Sequence, residues 1–270
     1  MQVSTALIRL RREHMRIVSL CPSLTELVFD LGLGDDLVGR TKFCIHPASQ
    51  VGAVEAVGGT KNPKVDRIIA LAPDLVLLNE EENRREDEEA LRGAGIACHT
   101  SMPRTADDTA MMVRSIGAAV RREVRAEEIA RDIEARSARV RTTVAGRALV
   151  PFAYLIWREP WMTVNGDTFV DAMLSMAGGH NVFGAHPDRY PTITPDELAA
   201  ADPSLVLLST EPFPFATKHI FEVSERTGLP RSRFHITDGE LLSWHGSRTP
   251  RGIDYAEQVI TGAASALSPA

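Results

Sequence analysis

Cys44 and His46 sit one residue apart in TKFCIHP, a thiol and an imidazole close enough to suggest a nucleophile or a metal site. A catalytic Cys–His pair is usually assembled from distant parts of a chain, so proximity in sequence is weak support. A metal site needs further ligands, and His245 is the one other loop histidine to nominate. The plainer reading is a buried cysteine beside a solvent-facing histidine. No bare metal ion is expected, although His46 or His245 could give an axial bond to a metal already held in an organic ring.

Aromatic residues offer a different chemistry. All three tryptophans fall where loops are expected, Trp157 and Trp161 in YLIWREPWMTV and Trp244 in DGELLSWHGSR. Phe43, Tyr190, Phe213 and Phe215 stand in loops as well, with Arg158, Glu211 and His245 among their neighbours. Loop packing explains any one of them. As a set they suit a large, flat, partly polar ligand. The acidic runs Glu80-Glu81-Glu82 and Glu86-Asp87-Glu88-Glu89 read mostly as a solvated helix face. GGTKNP lacks the Lys-Ser/Thr of a phosphate-binding loop, and GxSxG, HExxH and GxGxxG do not occur. The chain therefore reads as a binder rather than an enzyme.

The elements that must position these residues are written twice. IIALAPDLVLLN (68–79) returns as LAAADPSLVLLS (198–209), each a helix end, a proline and an aliphatic strand. Upstream of the first copy, RIVSL (16–20) reads as a strand and LTELVFDLGLG as a helix, with Ser23 as its cap and Glu26 three residues on. DLVGR (36–40), VDRIIAL and IACHT complete that half. In the second half VPFAYLIW is a strand, Thr168 caps FVDAMLSMAGG, HNVFG (180–184) takes the place of DDLVG (35–39), and Thr194-Pro195 opens a helix. Alternating strands and helices imply α/β lobes with mostly parallel sheets, and all-aliphatic strands imply cover on both faces. Ligands of such sheets sit in the loops after the strands' C-terminal ends.

A different texture separates the halves. Residues 105–120 and 124–144 read as helices, the second without Gly or Pro and with an apolar face of Ala126, Ile129, Ala130, Ile133, Val140 and Val144. Glu127/Arg131 and Asp132/Arg136 are favourable i,i+4 pairs. This helix is either a surface helix of one domain or a rigid strut between two lobes. The expected division is an N-terminal lobe over 15–104, a helical connector over 105–146 and a C-terminal lobe over 147–270.

At 270 residues, 44% hydrophobic, 24% charged and net −6, the chain can bury one or two cores and lacks the basic patch of a nucleic-acid binder. Cys21, Cys44 and Cys98 form neither a disulfide framework nor a zinc knuckle. No apolar run is long enough to span a membrane. The N-terminal patch, broken by Arg9, Arg11 and Arg12, is a poor secretory signal, which leaves a cytosolic protein or a signal missing from this sequence.

The phrases PSLTELVFDLGLGDDLVGRT, VGGTKNPKVDRIIALAPDLVLL and GDTFVDAMLSMAGGHNVFG resemble the helical-backbone (class III) substrate-binding proteins of ABC importers. The resemblance runs from residue 16 to about 262 and is strongest to the cobalamin (vitamin B12) binders. It implies two α/β lobes joined by a long backbone helix, a corrinoid held in the cleft between them and no cofactor beyond that transported ligand. It also implies a monomer, periplasmic or cell-surface, whose partners are a permease and its ATPase. Matching ligand positions are Phe43, His46, Tyr190 and Asp238, with Trp244 and His245 further along one loop and Arg158–Trp161 lining another. At Asn79 the family can present an aromatic, and here it does not. Docking acids match at Asp196 and, around Arg85, at Glu82 and Glu86. Two other readings stay open. One is a ferric siderophore or haem binder using Arg40, Lys42, Lys61, Arg158, Arg248 and Arg251. The other is a cytosolic tetrapyrrole- or metal-handling protein.

Overall fold

A computed structural model describes residues 14–267, with side chains to residue 262. The expectation about the N-terminal export signal falls at residues outside those described. The chain divides between Met102 and Pro103 into two compact units.

The first unit runs β1 (Ile17–Ser19), α1 (Pro22–Asp30), β2 (Leu37–Arg40), α2 (Val65–Ala70), β3 (Leu75–Asn79), α3 (Arg85–Gly93) and β4 (Ala97–Ser101). Its sheet is parallel throughout, in the order β2-β1-β3-β4. All of β3 is buried, as an aliphatic strand covered on both faces must be. Val18, Leu20, Val57, Ile68, Val76, Leu78 and Leu91 form one core cluster. Ser23 does not cap α1. The N-cap is Cys21, because Pro22 already has the φ of a first helical residue and lacks an N–H that would go unpaired at that position. The acidic run also differs from expectation: Glu80–Glu82 precede α3 in a turn, and Asp87 is buried against Arg84 at 2.8 Å.

The second unit begins with α4 (Ala106–Ala119) and α5 (Glu123–Val144) and continues through β5 (Val150–Trp157), β6 (Met162–Thr163), α6 (Phe169–Met176) and β7 (Gly179–Asn181). It closes with α7 (Pro195–Ala201), β8 (Leu205–Ser209), α8 (Thr217–Thr227), β9 (Phe234–Thr237), α9 (Gly239–Ser243) and α10 (Thr249–Leu267). Its sheet order is β6-β5-β8-β9, with β7 parallel to the first residues of β5 and β6 antiparallel to its last. Without the β6 hairpin, β7-β5-β8-β9 repeats β2-β1-β3-β4, so the doubled sequence phrase is a doubled topology. The strand expected in HNVFG lies slightly upstream, at Gly179–Asn181, and Val182–Gly184 turn away. Thr168 and Thr194 cap α6 and α7 as their sequences imply, the latter with Glu197 in a capping box.

α5 has 22 residues and is about 33 Å long. Its buried stripe, Ala126, Ile129, Ala130, Ile133 and Val140, is the one its spacing announces, while Val144 is half-buried. It packs on α4 and α10. Both i,i+4 pairs form, and Arg139 reaches Glu257 of α10 at 2.7 Å.

Candidate functional site

Parallel strands deliver their following loops to one edge of a sheet, and each unit offers such an edge. In the first, the loop after β2 carries Phe43 and Ile45, 51% and 50% exposed, beside Cys44, which is fully covered. Two neighbouring large apolar side chains half in water make this loop a candidate contact surface. The Lys42 ammonium lies 4.9 Å from the Phe43 ring centre. Cys44 accepts a hydrogen bond from Thr25 Oγ1 at 3.0 Å and lies 3.1 Å from Thr41 Oγ1. Burial pushes its thiol up, and it pushes the Cys21 thiol up to about 12. A protonated, enclosed thiol is no nucleophile, so the Cys44–His46 proximity carries no such chemistry. His46 is half-buried in the same loop.

Behind this loop lies a side chain that sequence reading missed. Buried Asn83 donates to Leu20 O at 3.0 Å and to Thr60 O at 3.1 Å, and its Oδ1 accepts from Asn79 N at 2.9 Å. Asn79 is itself buried, its Oδ1 accepting from the backbone of Glu81 and Glu82. Where an aromatic would reach outward, this chain has an amide folded into a turn. Glu82 is half-buried, and desolvation raises its carboxyl despite nearby Lys61. Glu86 is exposed in the first turn of α3.

In the second unit an aromatic pile rises from the core to the strand ends. Trp161, 6% exposed, stacks on Phe215 at 6.0 Å. Phe215 meets Phe213 edge-on at 4.8 Å, and Phe213 meets Trp157, 40% exposed, at 5.7 Å. Trp161 therefore supports the surface ring and Trp157 presents it. Arg158, next in sequence, donates from Nε and Nη2 to Glu222 at 2.8 and 2.9 Å. Tyr190 is exposed in a separate loop, with the Arg189 guanidinium 5.9 Å from its ring centre.

The loops after β8 and β9 are knitted by polar bonds. Tyr154 OH donates to Ser209 Oγ at 2.9 Å, and Ser243 Oγ donates to Glu211 Oε1 at 2.7 Å. Asp238 Oδ1 accepts from Leu241 N at 3.1 Å, which caps α9. Trp244 and His245, both expected in open loops, are buried at the start of the segment leading into α10. Arg248 lies 4.7 Å from the centre of the Trp244 ring and pairs with Glu240 at 2.6 Å. His245 packs edge-on against Phe169, and burial pulls its pKa down to about 4, so it is neutral at pH 7. Asp196 is exposed in the first turn of α7.

The cations that would attract an anionic chelate are mostly engaged. Arg40 donates to Val51 O and Thr41 O, Lys61 to Glu81 O, Arg158 to Glu222, and Arg248 to Glu240. Lys42 and Arg251 remain exposed. Among the described residues no group of three or more His, Cys, Asp or Glu could hold a metal ion.

A family model described as periplasmic binding protein matches residues 17–229. A vitamin B12-binding protein of Vibrio cholerae serotype O1 is 24% identical over 248 residues, covering 91% of this chain and 88% of its own length. The crystal structure of the periplasmic vitamin B12 binding protein BtuF of Vibrio cholerae has a TM-score of 0.81 at 20% identity, covering 93% of this chain and 98% of that one. The periplasmic heme-binding protein RhuT from Roseiflexus sp. RS-1 follows at a TM-score of 0.80 and 23% identity, covering 93% of this chain and 99% of that one. At such identities the likeness establishes the fold that all three share.

Proposed function

Because the chain belongs to the periplasmic binding protein family, we propose that it is the substrate-binding component of an ABC importer that captures cobalamin and hands it to a membrane permease and its ATPase. The observation that carries this reading is the pairing of exposed rings with occupied arginines. Phe43, Trp157 and Tyr190 offer faces at loops of the two units, while Arg40, Arg158 and Arg248 already hold protein oxygens. A corrinoid presents a broad apolar face rimmed mainly by neutral amides. It gains from stacking and loses nothing by the shortage of guanidinium groups. A chelate rimmed by carboxylates would have to break those pairs. The name carried by curated relatives, vitamin B12-binding protein, points the same way.

In this reading His46, Glu211 and Asp238 supply polar groups to the ligand's rim, and Trp161, Trp244 and His245 back the surface from within. Asn79 holds the first unit's loop. Glu82, Glu86 and Asp196 are the docking acids, and the protein works as a monomer in the periplasm or at the cell surface. The test is an isothermal titration of the purified protein with cyanocobalamin, with cobinamide and a ferric hydroxamate siderophore alongside. Saturable one-to-one binding of cobalamin is the expected result. Saturation by the iron complex without heat from either corrinoid would overturn it.

A further inference from the structure

We propose that Glu222 is a specificity determinant: by holding the Arg158 guanidinium in a two-point ion pair, it keeps the second unit's strand edge closed to flat chelates that carry carboxylates, such as ferric porphyrins. The proposal rests on the reading of that edge as ligand-binding. Arg158 directly follows Trp157, the exposed ring at the end of β5, and its charge acts on His219, whose ring meets Phe213, the neighbour of Trp157 in the aromatic pile. Its Nε and Nη2 both donate to the Glu222 carboxylate, at 2.8 and 2.9 Å, and Glu159 lies 3.0 Å from Nη2.

Planar two-point pairing is the strongest arrangement a guanidinium makes, and it is the arrangement a ligand carboxylate would need. The side chains are 27% and 22% exposed, which leaves them partly desolvated yet within reach of a ligand. The hydrogen bond from Arg158 holds Glu222 below the ordinary glutamate range, so the pair is formed at neutral pH. Arg226 adds a second cation to Glu222 at 3.4 Å. An incoming carboxylate must displace one carboxylate and then face another, Glu159, at close range. A ligand rimmed by amides meets no such barrier. Discrimination of this kind comes from making the wrong ligand worse, without improving the right one.

Glu222→Gln keeps the side chain's size and removes its charge, which leaves the Arg158 guanidinium with Glu159 as its near carboxylate. Titration of the full chain with haemin, followed in the Soret band, is the experiment. The variant should bind haemin about tenfold more tightly than the parent protein, the scale of one charge-assisted contact. That gain should vanish in the Arg158→Gln/Glu222→Gln double variant. Thermal melts of the three proteins identify any that fail to fold, and Glu222→Ala serves as the second single variant. Unchanged haemin affinity in both folded single variants, or a gain that survives removal of Arg158, would overturn the proposal. A parent protein that ignores cyanocobalamin would sink the cobalamin reading instead, and the haemin comparison would still decide whether Glu222 masks Arg158.

Discussion

Trp157 and Trp161 are four residues apart, and what separates their roles is solvent. Trp157 keeps 40% of its surface exposed, whereas Trp161 keeps 6% and stacks on Phe215. Trp161→Ala should therefore cost about 3–5 kcal/mol of stability, as emptied aromatic sites do, measured by urea denaturation. Trp157→Ala should leave the urea midpoint nearly unchanged and weaken cobalamin binding by about tenfold, the scale of lost stacking and burial for one ring. His245 gives a residue-level prediction in pH. Burial lowers its folded pKa from 6.5 to about 4, so between those values the unfolded chain binds the extra proton. Its stabilising contribution is complete above about pH 6.5 and is lost as pH falls toward 4, by about 3 kcal/mol over the whole window. Urea midpoints taken from pH 7 to 4 should fall, and His245→Gln should fall less steeply. Some slope will persist in the variant, because burial also lowers His99 and His219. Asp171 and Glu82, both raised by desolvation, act with the opposite sign, contributing most in acid.

Helices α4 and α5 show how an element's sequence dictates its neighbour. At Gly117 a Cβ would overlap that of Ala126, so the absence of a side chain on α4 is what lets α5 lie so close. Arg114 then bridges Glu127 at 2.6 Å and Glu134 at 2.5 Å across the same pair of helices. Such exposed pairs add little singly, and the close approach of the helices matters more. Gly117→Ala should destabilise the protein by about 1–3 kcal/mol despite alanine's better helix propensity, because the overlap forces the helices apart. Ala126→Gly in the same chain should recover part of that loss. The test is a double-mutant cycle in urea, and additivity of the two single changes would show that the contact is not what couples them.

At the scale of the whole molecule, what could be read from sequence was whatever depends on neighbours in sequence. The two LVLL runs, the caps at Thr168 and Thr194 and the stripe on α5 each follow from spacing over a few residues, and each appears in the fold. Ser23 departs from its expected capping role because a proline at the first helical turn outweighs a serine one residue later. The site was less legible, since its decisive contacts join distant segments. Arg158 finds Glu222 64 positions away, and Asn83 finds Leu20 at a separation of 63. Local composition gives no sign of either pairing, nor of the burial that removes Trp244 and His245 from the surface. Two of the acids proposed for docking depend on neither kind of contact, only on exposure and sign. Asp196 and Glu86 lie open to solvent in the first turns of α7 and α3, one on each unit, and the proposed function has a basic permease surface meet them there. Asp196→Lys and Glu86→Lys should each lower stimulation of the transporter's ATPase in proteoliposomes, and together by more than either alone. The deficit should shrink as salt is raised, because screening weakens the parent protein's advantage within a Debye length of about 8–10 Å. Cobalamin titration of the same variants separates lost delivery from lost capture. Full ATPase stimulation by the double variant at low salt would remove these acids from the docking surface.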